Sequence, residues 1–335
     1  MVPERDPEAA GAVPDDDDAP LDEAPAERRE RAVELLWHGW RLDKVLVQIA
    51  PEFSRGHLQT LIARGAVEVD GVVAHGASKA VRAGQRVAVR LEPTAQARAF
   101  RAQAVPLAVV FEDEHLLVLD KAPGQVVHPA PGNWGGTLLN GLLAHHTGAA
   151  ALPRAGIVHR LDKDTSGLMV VAKTLVAMTA LVRALAAREV RREYQALAHG
   201  DVGTAPFSVD APIGRDPRVR VRTAVVAGGK PARTDVLPVA CADGVSALWC
   251  RLHTGRTHQI RVHLAHRGHP LVGDVLYGGR PALGLARQAL HAARLGFAHP
   301  VDGRALHFER DPPADLAAAW QHVAGGQAGY NAALN

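Results

Sequence analysis

Cysteine, aromatic residues and long apolar runs are all scarce in this chain of 335 residues. Its two cysteines, Cys241 and Cys250, cannot build a disulfide framework or a four-ligand zinc site, which favours a reducing compartment. No apolar run approaches the roughly 18 residues that a membrane-spanning helix needs, and the N-terminus lacks the apolar core of a secretory signal. We therefore expect a soluble, cytoplasmic protein that does not bind a membrane.

Sequence motifs for nucleotide cofactors and metals are absent as well. The sequence contains no P-loop and no GxGxxG pattern. Four histidines lie close together between residues 258 and 269, but no acidic or cysteine residue stands at ligand spacing from them. The sequence thus predicts no cofactor and no metal ion.

Charge is distributed unevenly along the chain. Residues 1–30 carry a net charge of −8, and the remaining 305 residues carry +11. A basic body favours a polyanionic partner, although plain solubility would explain the same excess. The acidic segment has almost no large apolar residues, so it cannot offset the entropy cost of ordering. We expect residues 1–32 to be a disordered tail.

A compact unit is predicted over residues 33–91. Apolar residues recur at helical spacing in two successive stretches, and Ser54 is a good N-cap for the second. Asp70 and Gly71 follow a short alternating run and are typical of a hairpin turn. Two short helices and a small sheet enclose only a small hydrophobic core, so we infer that this unit functions through its surface. Residues 92–106 are polar and rich in alanine, which indicates a linker.

The spacing of polar residues in this unit resembles the small RNA-binding fold that occurs in a ribosomal protein of the small subunit. The matching positions are Arg41 to Lys44, Ser54 with Arg55, and Gly65 to Gly71. In that fold the second helix lies on RNA phosphates, although a solvated helix face would explain each residue singly. The implied RNA contacts are Arg41, Lys44, Arg55, His57, Gln59 and Arg64.

The larger segment, residues 107–322, contains a loop suited to hold a reactive carboxylate. Residues 162–167 are dense in turn formers and lie between two β-rich runs. A loop between buried strands is a rigid place from which to aim a side chain. By composition alone, Asp162 or Asp164 could equally be a turn aspartate that bonds to its own backbone, and both interpretations remain open at this point.

Four sequence motifs favour the functional interpretation. Residues 159–168, with the sequence HRLDKDTSGL, resemble the signature of the RluA and RluD class of pseudouridine synthases. Three further segments, residues 121–129, 192–194 and 254–263, are similar to the KPxGxxVHP, REY and GRTHQIRVH stretches of that family. The resemblance covers residues 33–320, and the RluD-type enzymes are the most similar.

This resemblance implies an α+β enzyme. The expected catalytic domain is built on a mixed, mostly antiparallel sheet with a central cleft, and residues 323–335 follow it as a C-terminal tail. A small N-terminal α/β RNA-binding domain precedes it. The implied reaction converts specific uridines in 23S ribosomal RNA of the large subunit to pseudouridine. This isomerisation involves no redox change and no outside energy.

The reaction needs few groups, and the resemblance assigns them residue by residue. Asp162 provides an ionised carboxylate beside the sugar, either as a nucleophile or as a base that opens another route. Arg256 keeps this carboxylate charged, and Tyr194 stacks on the base and takes the proton lost from the ring. Arg160 fills the space that the flipped base leaves, and Ile260 packs under Tyr194.

Further RNA contacts are implied in the larger segment. They are Lys230, Arg233, His258 and Arg261, and His263, His266 and His269 are also expected to face RNA. The expected partner is 23S ribosomal RNA or an assembly intermediate of the large subunit, bound by a monomer. Two other functions fit the same sequence: a synthase that acts on transfer RNA, and a non-catalytic RNA-binding factor in ribosome assembly.

Overall fold

The computed structural model describes residues 27–91, 99–130, 132–219 and 222–325. The chain divides into two compact units, unit 1 (residues 1–97) and unit 2 (residues 98–335). The division falls inside residues 92–106, which the sequence assigns to a linker, and residues 92–98 lie outside the described part of the chain.

Unit 1 combines two helices with a four-stranded antiparallel sheet. The helices are α1 (Leu42–Ile49) and α2 (Arg55–Ala63). The strands are β1 (Glu27–Ala32), β2 (Val67–Val69), β3 (Val72–Val73) and β4 (Arg86–Leu91), in the order β1-β4-β2-β3. Both helices bury their apolar faces in one core with the sheet, where Leu42, Leu46 and Leu58 are fully enclosed.

Two local signals in the sequence of unit 1 form as predicted. The Oγ of Ser54 accepts a hydrogen bond from the backbone N–H of His57 at 3.2 Å, which caps α2. Asp70 and Gly71 have φ angles of 54° and 77°, as the tight turn between β2 and β3 requires. The structure confirms the predicted pair of helices and the small sheet.

Strand β1 contradicts the predicted extent of the disordered tail. Residues 27–32 pair along their whole length with β4, so ordered structure begins six residues earlier than predicted. The strand is charged on both faces and is held by backbone pairing and by cross-strand ion pairs such as Arg86–Glu30. Because no apolar residue alternates along it, the sequence pattern does not reveal this strand. Residues 1–26 lie outside the described part of the chain.

In the described residues of unit 2, a nine-stranded sheet is accompanied by four helices. The strands are β5 (Val109–Glu112), β6 (Leu116–Lys121), β7 (Ser166–Ala172), β8 (Arg191–His199), β9 (Phe207–Asp210), β10 (Ile213–Arg215), β11 (Thr223–Val225), β12 (Arg233–Ala242), β13 (Val245–Leu252), β14 (Leu290–Ala298) and β15 (Ala305–Glu309). The helices are α3 (Leu138–His145), α4 (Leu175–Ala187), α5 (Gln259–His266) and α6 (Ala314–Ala324). Strands β10 and β11 form a separate pair.

The order across the large sheet is β5-β6-β7-β14-β8-β13-β12-β9, and β15 pairs with β14. Neighbours are antiparallel except β7 and β14, so the sheet is mixed and mostly antiparallel, as predicted. Gly167 allows the parallel pair to form, because its φ is 110° and a Cβ there would lie 2.3 Å from the carbonyl oxygen of Ala292. The close contact between the backbones of Gly167 and Ala292 holds the start of β7, which directly follows the loop that carries Asp162.

Both ends of the predicted catalytic domain differ from the structure. Residues 99–106, assigned to the linker, belong to unit 2, because the Asn140 side chain donates hydrogen bonds to two of their carbonyl oxygens at 3.0 and 2.8 Å. Helix α6 ends at Ala324, beyond the predicted domain end at residue 322, because its last turn is buried in the apolar core. Residues 326–335 lie outside the described part of the chain.

One carboxylate organises the polar surface of unit 1. Asp43 in α1 is fully buried, yet it accepts hydrogen bonds from three side chains. The donors are Arg41 at 3.1 Å, Arg55 at 2.9 Å and Gln59 at 2.7 Å. These hydrogen bonds, the one from Arg41 above all, outweigh burial and hold the pKa of Asp43 well below its usual range. Three of the predicted RNA contacts are therefore positioned by one buried acid.

We expect Asp43→Asn to loosen unit 1. Loss of the charge weakens the hydrogen bonds from two guanidinium groups, so the free energy of local opening should fall by about 2 kcal/mol. Hydrogen exchange of the backbone amides of residues 41–63, in the full chain at neutral pH, measures this change. Glu68→Gln removes an exposed ion pair with Arg28 in the same unit and should leave these amides unchanged.

The same variant has a defined pH dependence. Because folding lowers the pKa of Asp43, its contribution to stability is complete above the ordinary Asp pKa of about 4 and declines as the pH falls through the lower folded value. The difference in exchange between Asp43→Asn and the wild type should therefore shrink below about pH 4. Equal exchange of the two proteins at neutral pH would contradict the role assigned to Asp43.

Candidate active site

The predicted catalytic aspartate lies in a loop that is fastened to β7. Ile157, before the loop, forms an isolated β-bridge with Val171. The Nε2 of His159 accepts a hydrogen bond from the backbone N–H of Val170 at 3.1 Å. Both contacts hold the approach to Asp162 against a fully buried strand, so the carboxylate is aimed from a fixed backbone.

A buried guanidinium holds Asp162. The Nη1 of Arg261 lies 3.1 Å from Oδ2 of Asp162, and the Nε and Nη2 of Arg261 lie 2.7 and 2.8 Å from the carboxylate of Asp274. Only 7% of the Arg261 side chain is exposed. Burial by itself would lower the pKa of Arg261, but the bonds to Asp274 and Asp162 outweigh it and raise that pKa. A fixed positive charge therefore stands beside Asp162.

This pairing corrects two assignments made from the sequence. The sequence places Arg256 beside Asp162 and assigns Arg261 to RNA contact. In the structure the Nε of Arg256 donates to the carbonyl oxygen of Pro231 at 3.1 Å, and Arg261 pairs with Asp162. The backbone between the two arginines turns sharply at His258, whose φ is 56°, and α5 then presents Arg261 to Asp162.

The predicted aromatic and apolar groups of the site are buried next to Asp162. Tyr194 on β8 and Ile260 on α5 are 4% and 3% exposed and belong to one apolar core. Burial raises the pKa of Tyr194 to about 12, with the charge of Arg192 opposing and that of Asp162 adding to the effect. The buried ring is placed for the stacking expected from the sequence, and proton uptake by its phenol stays a prediction.

His258 stands beside the carboxylate. Its Nε2 lies 3.8 Å from Oδ1 of Asp162, and its Nδ1 lies 2.8 Å from the hydroxyl of Tyr277. Burial lowers the pKa of His258 despite the opposing charge of Asp162, which favours the neutral imidazole. A residue assigned to RNA contact therefore also belongs to the immediate surroundings of Asp162.

A cavity of about 380 Å³ opens beside these groups. Its wall contains Asp162, Tyr194, Arg160 and Arg256, and its volume is typical of small-ligand sites. A smaller adjoining cavity shares Asp162 and Tyr194 and adds Ile260. Five residues that the sequence assigns to catalysis and base flipping are thus brought together around one opening.

The other predicted RNA contacts are distributed over both units. Those with exposed side chains that the structure describes include Lys44, Arg64, Lys230 and Arg233. Arg233 also pairs with Asp235 at 3.1 Å. The imidazole of His57 is half-buried and stacks on Phe53 with 5.2 Å between ring centroids. Most of these side chains therefore remain accessible to a polyanion, although several already have a protein partner.

One histidine of α5, His263, contradicts the expectation that it faces RNA. His263 is fully buried, because its two ring nitrogens lie 2.9 Å from the hydroxyl of Thr234 and 3.0 Å from the carbonyl oxygen of Ala211. His266 is exposed. Among the residues that the structure describes, no group of three His, Cys, Asp or Glu side chains is placed to hold a metal ion. No helix in the described ranges is long and apolar enough to cross a membrane.

Sequence reasoning missed one buried cation at the site. The Nζ of Lys121, at the end of β6, donates to the carbonyl oxygens of Ala122, Gln125 and Lys163 at 2.8, 3.0 and 2.9 Å. Burial lowers the pKa of Lys121 to about 8, although the charges of nearby aspartates oppose the shift. The ammonium ties β6 to the residue that follows Asp162. A lysine at the end of an otherwise apolar strand, separated from its four apolar residues by Asp120, is the signal that could have revealed it.

Asp274 and Tyr277 were also missed as site residues. Asp274 is 2% exposed and fixes Arg261, and Tyr277 bonds to His258. Both lie in a stretch that already matches the family, but no local pattern links them to a carboxylate more than a hundred residues earlier in the chain.

Comparison with known proteins identifies relatives for both units of the chain. The model of the RNA pseudouridylate synthase family matches residues 115–266, and the S4 domain model matches residues 40–87. A protein named ribosomal large subunit pseudouridine synthase D from Nitrosomonas europaea is 46% identical over 312 residues, covering 90% of this chain and 90% of the relative. The protein of the same name from Escherichia coli O6:H1 is 45% identical over 291 residues, covering 83% of this chain and 89% of the relative.

A solved structure supports the same assignment. The human protein described as RNA pseudouridylate synthase domain containing 1 aligns with a TM-score of 0.50 and 27% identity, over 67% of this chain and 87% of that chain. The α+β fold, the match to the pseudouridylate synthase family and the S4 domain together indicate an RNA-modifying isomerase. The chain belongs to the RNA pseudouridine synthase family.

We expect Arg261→Gln and Arg256→Gln to differ in their effect on pseudouridine formation. Loss of Arg261 leaves two carboxylates unpaired and should lower the single-turnover rate at saturating RNA roughly 100-fold, or about 3 kcal/mol. Arg256 bonds a backbone carbonyl, so its removal should change that rate by about tenfold or less. Circular dichroism confirms that each variant is folded. A larger loss for Arg256→Gln than for Arg261→Gln would refute the pairing.

Proposed function

We propose that this enzyme converts specific uridines of large-subunit (23S) ribosomal RNA to pseudouridine. The observation that carries the proposal is the carboxylate of Asp162, held by Arg261 at 3.1 Å on the wall of a basic cavity that also contains Tyr194. The names of the relatives that match most of the chain point to the large ribosomal subunit.

The proposed chemistry exchanges one glycosidic bond for another. The bond between C1′ of the ribose and N1 of uracil breaks, the ring turns, and C5 bonds to C1′. The proton on C5 leaves and N1 gains one, so atoms and electrons balance without a cofactor. Asp162 acts either as a nucleophile at C1′ or as a base on the sugar, and in either route the guanidinium of Arg261, 3.1 Å away, holds the carboxylate in place.

The other residues of the cavity prepare the base for this exchange. Tyr194 offers a buried ring for stacking. Arg160, which is exposed on the cavity wall, enters the space that the flipped nucleotide leaves in the RNA. Ile260 supports the apolar side of the pocket. Arg256 adds positive charge to the same wall, where it contacts the RNA backbone.

RNA outside the cavity is bound by exposed basic groups. The proposed RNA-binding face of unit 1 includes Arg41 and Arg55, which Asp43 positions. Its other members are Lys44, His57, Gln59 and Arg64. Lys230 and Arg233 extend the contacts on unit 2. These groups set affinity and register, because phosphate contacts position the RNA without reading its sequence. We further propose that the enzyme works as a cytoplasmic monomer on ribosomal RNA or an assembly intermediate.

The proposal is tested by the pair Asp162→Asn and Asp164→Asn. Asp162→Asn should abolish pseudouridine formation in 23S ribosomal RNA while leaving RNA affinity nearly intact, because affinity rests on many phosphate contacts. Asp164→Asn removes the same charge two residues away and should retain activity within about tenfold of the wild type. Tritium release from uracil-labelled RNA measures turnover, and filter binding measures affinity. Near-normal turnover by Asp162→Asn would overturn the assignment.

The substrate is identified by mapping pseudouridine in a deletion strain. Loss of pseudouridine from 23S ribosomal RNA, restored by the wild-type gene and not by Asp162→Asn, is the expected result. Loss of pseudouridine from transfer RNA alone would show that transfer RNA, and not 23S ribosomal RNA, is the substrate. Unchanged pseudouridine in every RNA, with a defect in ribosome assembly, would indicate a non-catalytic factor.

We expect the double variant Lys44→Gln, Arg64→Gln to weaken RNA binding more than chemistry. Removing two phosphate contacts should reduce the slope of log affinity against log salt by about 1.5. The single-turnover rate at saturating RNA should stay within about tenfold of the wild type. The control, Lys79→Gln with Arg82→Gln, removes two exposed charges elsewhere in unit 1 and should change the salt slope less. An equal change in both variants would refute a defined RNA-binding face.

A further inference from the structure

Arg192 is a buried cation in the cleft that has no partner in the part of the protein that the structure describes. Arg192 on β8 is 7% exposed, and within the described part of the chain its side chain makes no ion pair and no hydrogen bond. Its Nε is completely enclosed. Burial of an unpaired charge is unfavourable, and buried polar groups are normally satisfied. Arg192 is therefore a donor without an acceptor in the structure.

The position of Arg192 places this donor in the catalytic cavity. Arg192 and Tyr194 are two residues apart on β8, so they point to the same face of the sheet, and both line the cavity of about 380 Å³ that contains Asp162. Arg192 is not among the site residues that the sequence predicts. The REY motif predicts the strand that carries this arginine, but it does not predict what the arginine binds.

Gly255 preserves the space that the guanidinium occupies. A Cβ at Gly255 would lie 2.8 Å from Nη1 of Arg192. The backbone of Gly255 is outside the left-handed region, so the chain conformation does not by itself require glycine there. The glycine is instead explained by the approach of Arg192, which is held against the segment that leads to Arg256.

The charge of the cavity identifies the missing partner as an anion. Arg154, Arg160 and Arg256 line the same wall as Arg192, and the acidic residue of that wall, Asp162, is already paired with Arg261. Uracil and ribose are neutral, and the phosphates on either side of a uridine are the anions that RNA brings. Guanidinium groups bind phosphate with short, charge-assisted hydrogen bonds.

We propose that Arg192 binds a phosphate group of the RNA strand adjacent to the target uridine, and that Gly255 keeps open the space for its guanidinium. This inference rests on the proposed function, since it takes RNA as the ligand of the cavity. Arg192 would thereby anchor the flipped nucleotide in the cavity.

The test compares the binding of three small probes to the full chain. Uridine, uridine 5′-monophosphate and uridine 3′-monophosphate are titrated by calorimetry at low salt. One monophosphate should bind the wild type about tenfold more tightly than uridine does. Arg192→Gln should lose this preference, and Arg183→Gln, which removes an exposed charge on α4, should keep it. Retention of the preference in Arg192→Gln, or its absence in the wild type, overturns the proposal.

The Gly255→Ala variant keeps the guanidinium of Arg192 but should displace it. The Cβ would push on the free end of a flexible side chain, so the backbone can stay in place while the guanidinium moves. This variant should also lose the preference for the monophosphate, and it decides the matter if circular dichroism shows that Arg192→Gln is unfolded. A preference equal to that of the wild type would contradict the proposal.

Two further outcomes distinguish this proposal from a site for free anions and from the proposed function. Inorganic phosphate that binds as tightly as the preferred monophosphate would indicate a site for free anions and would overturn the assignment to RNA. The binding measurement needs no turnover, so absence of pseudouridine formation with an intact phosphate preference would refute the proposed function and leave the anion site standing.

Discussion

A guanidinium shared by two carboxylates is the interaction on which the active site depends. Arg261 lies within 3.1 Å of both Asp274 and Asp162, and it joins α5 to a loop 99 residues earlier in the chain. Burial of these charges is tolerable only because each has a partner, and removal of one member of such a group typically costs about 3–5 kcal/mol. Arg261 therefore fixes both the position of the Asp162 carboxylate and the positive charge beside it.

The two units use paired charges for opposite purposes. In unit 1 a buried acid, Asp43, holds two arginines whose side chains remain about half exposed, and this arrangement presents positive charge to the outside. In unit 2 a buried arginine, Arg261, holds an acid at the wall of a cavity. The first arrangement suits binding to phosphates, and the second suits chemistry on a sugar.

The sequence predicted features that depend on neighbouring residues and missed those that depend on distant ones. The cap at Ser54 and the turn at Asp70 were predictable from local residue types, whereas the sheet type followed from the family resemblance. The choice of Arg261 over Arg256 was not, because it depends on how α5 starts after the sharp turn at His258. Strand β1 was missed because its charged sequence carries no apolar alternation.

The most direct test of the account is a crystal structure of the Asp162→Asn variant with an RNA that contains its target uridine. We expect the flipped base to stack on Tyr194 in the cavity and C1′ of the ribose to lie in van der Waals contact with the side chain of residue 162. Arg261 should remain between residue 162 and Asp274. A nucleotide bound with its ribose away from residue 162, or Arg256 in the place of Arg261, would contradict the account.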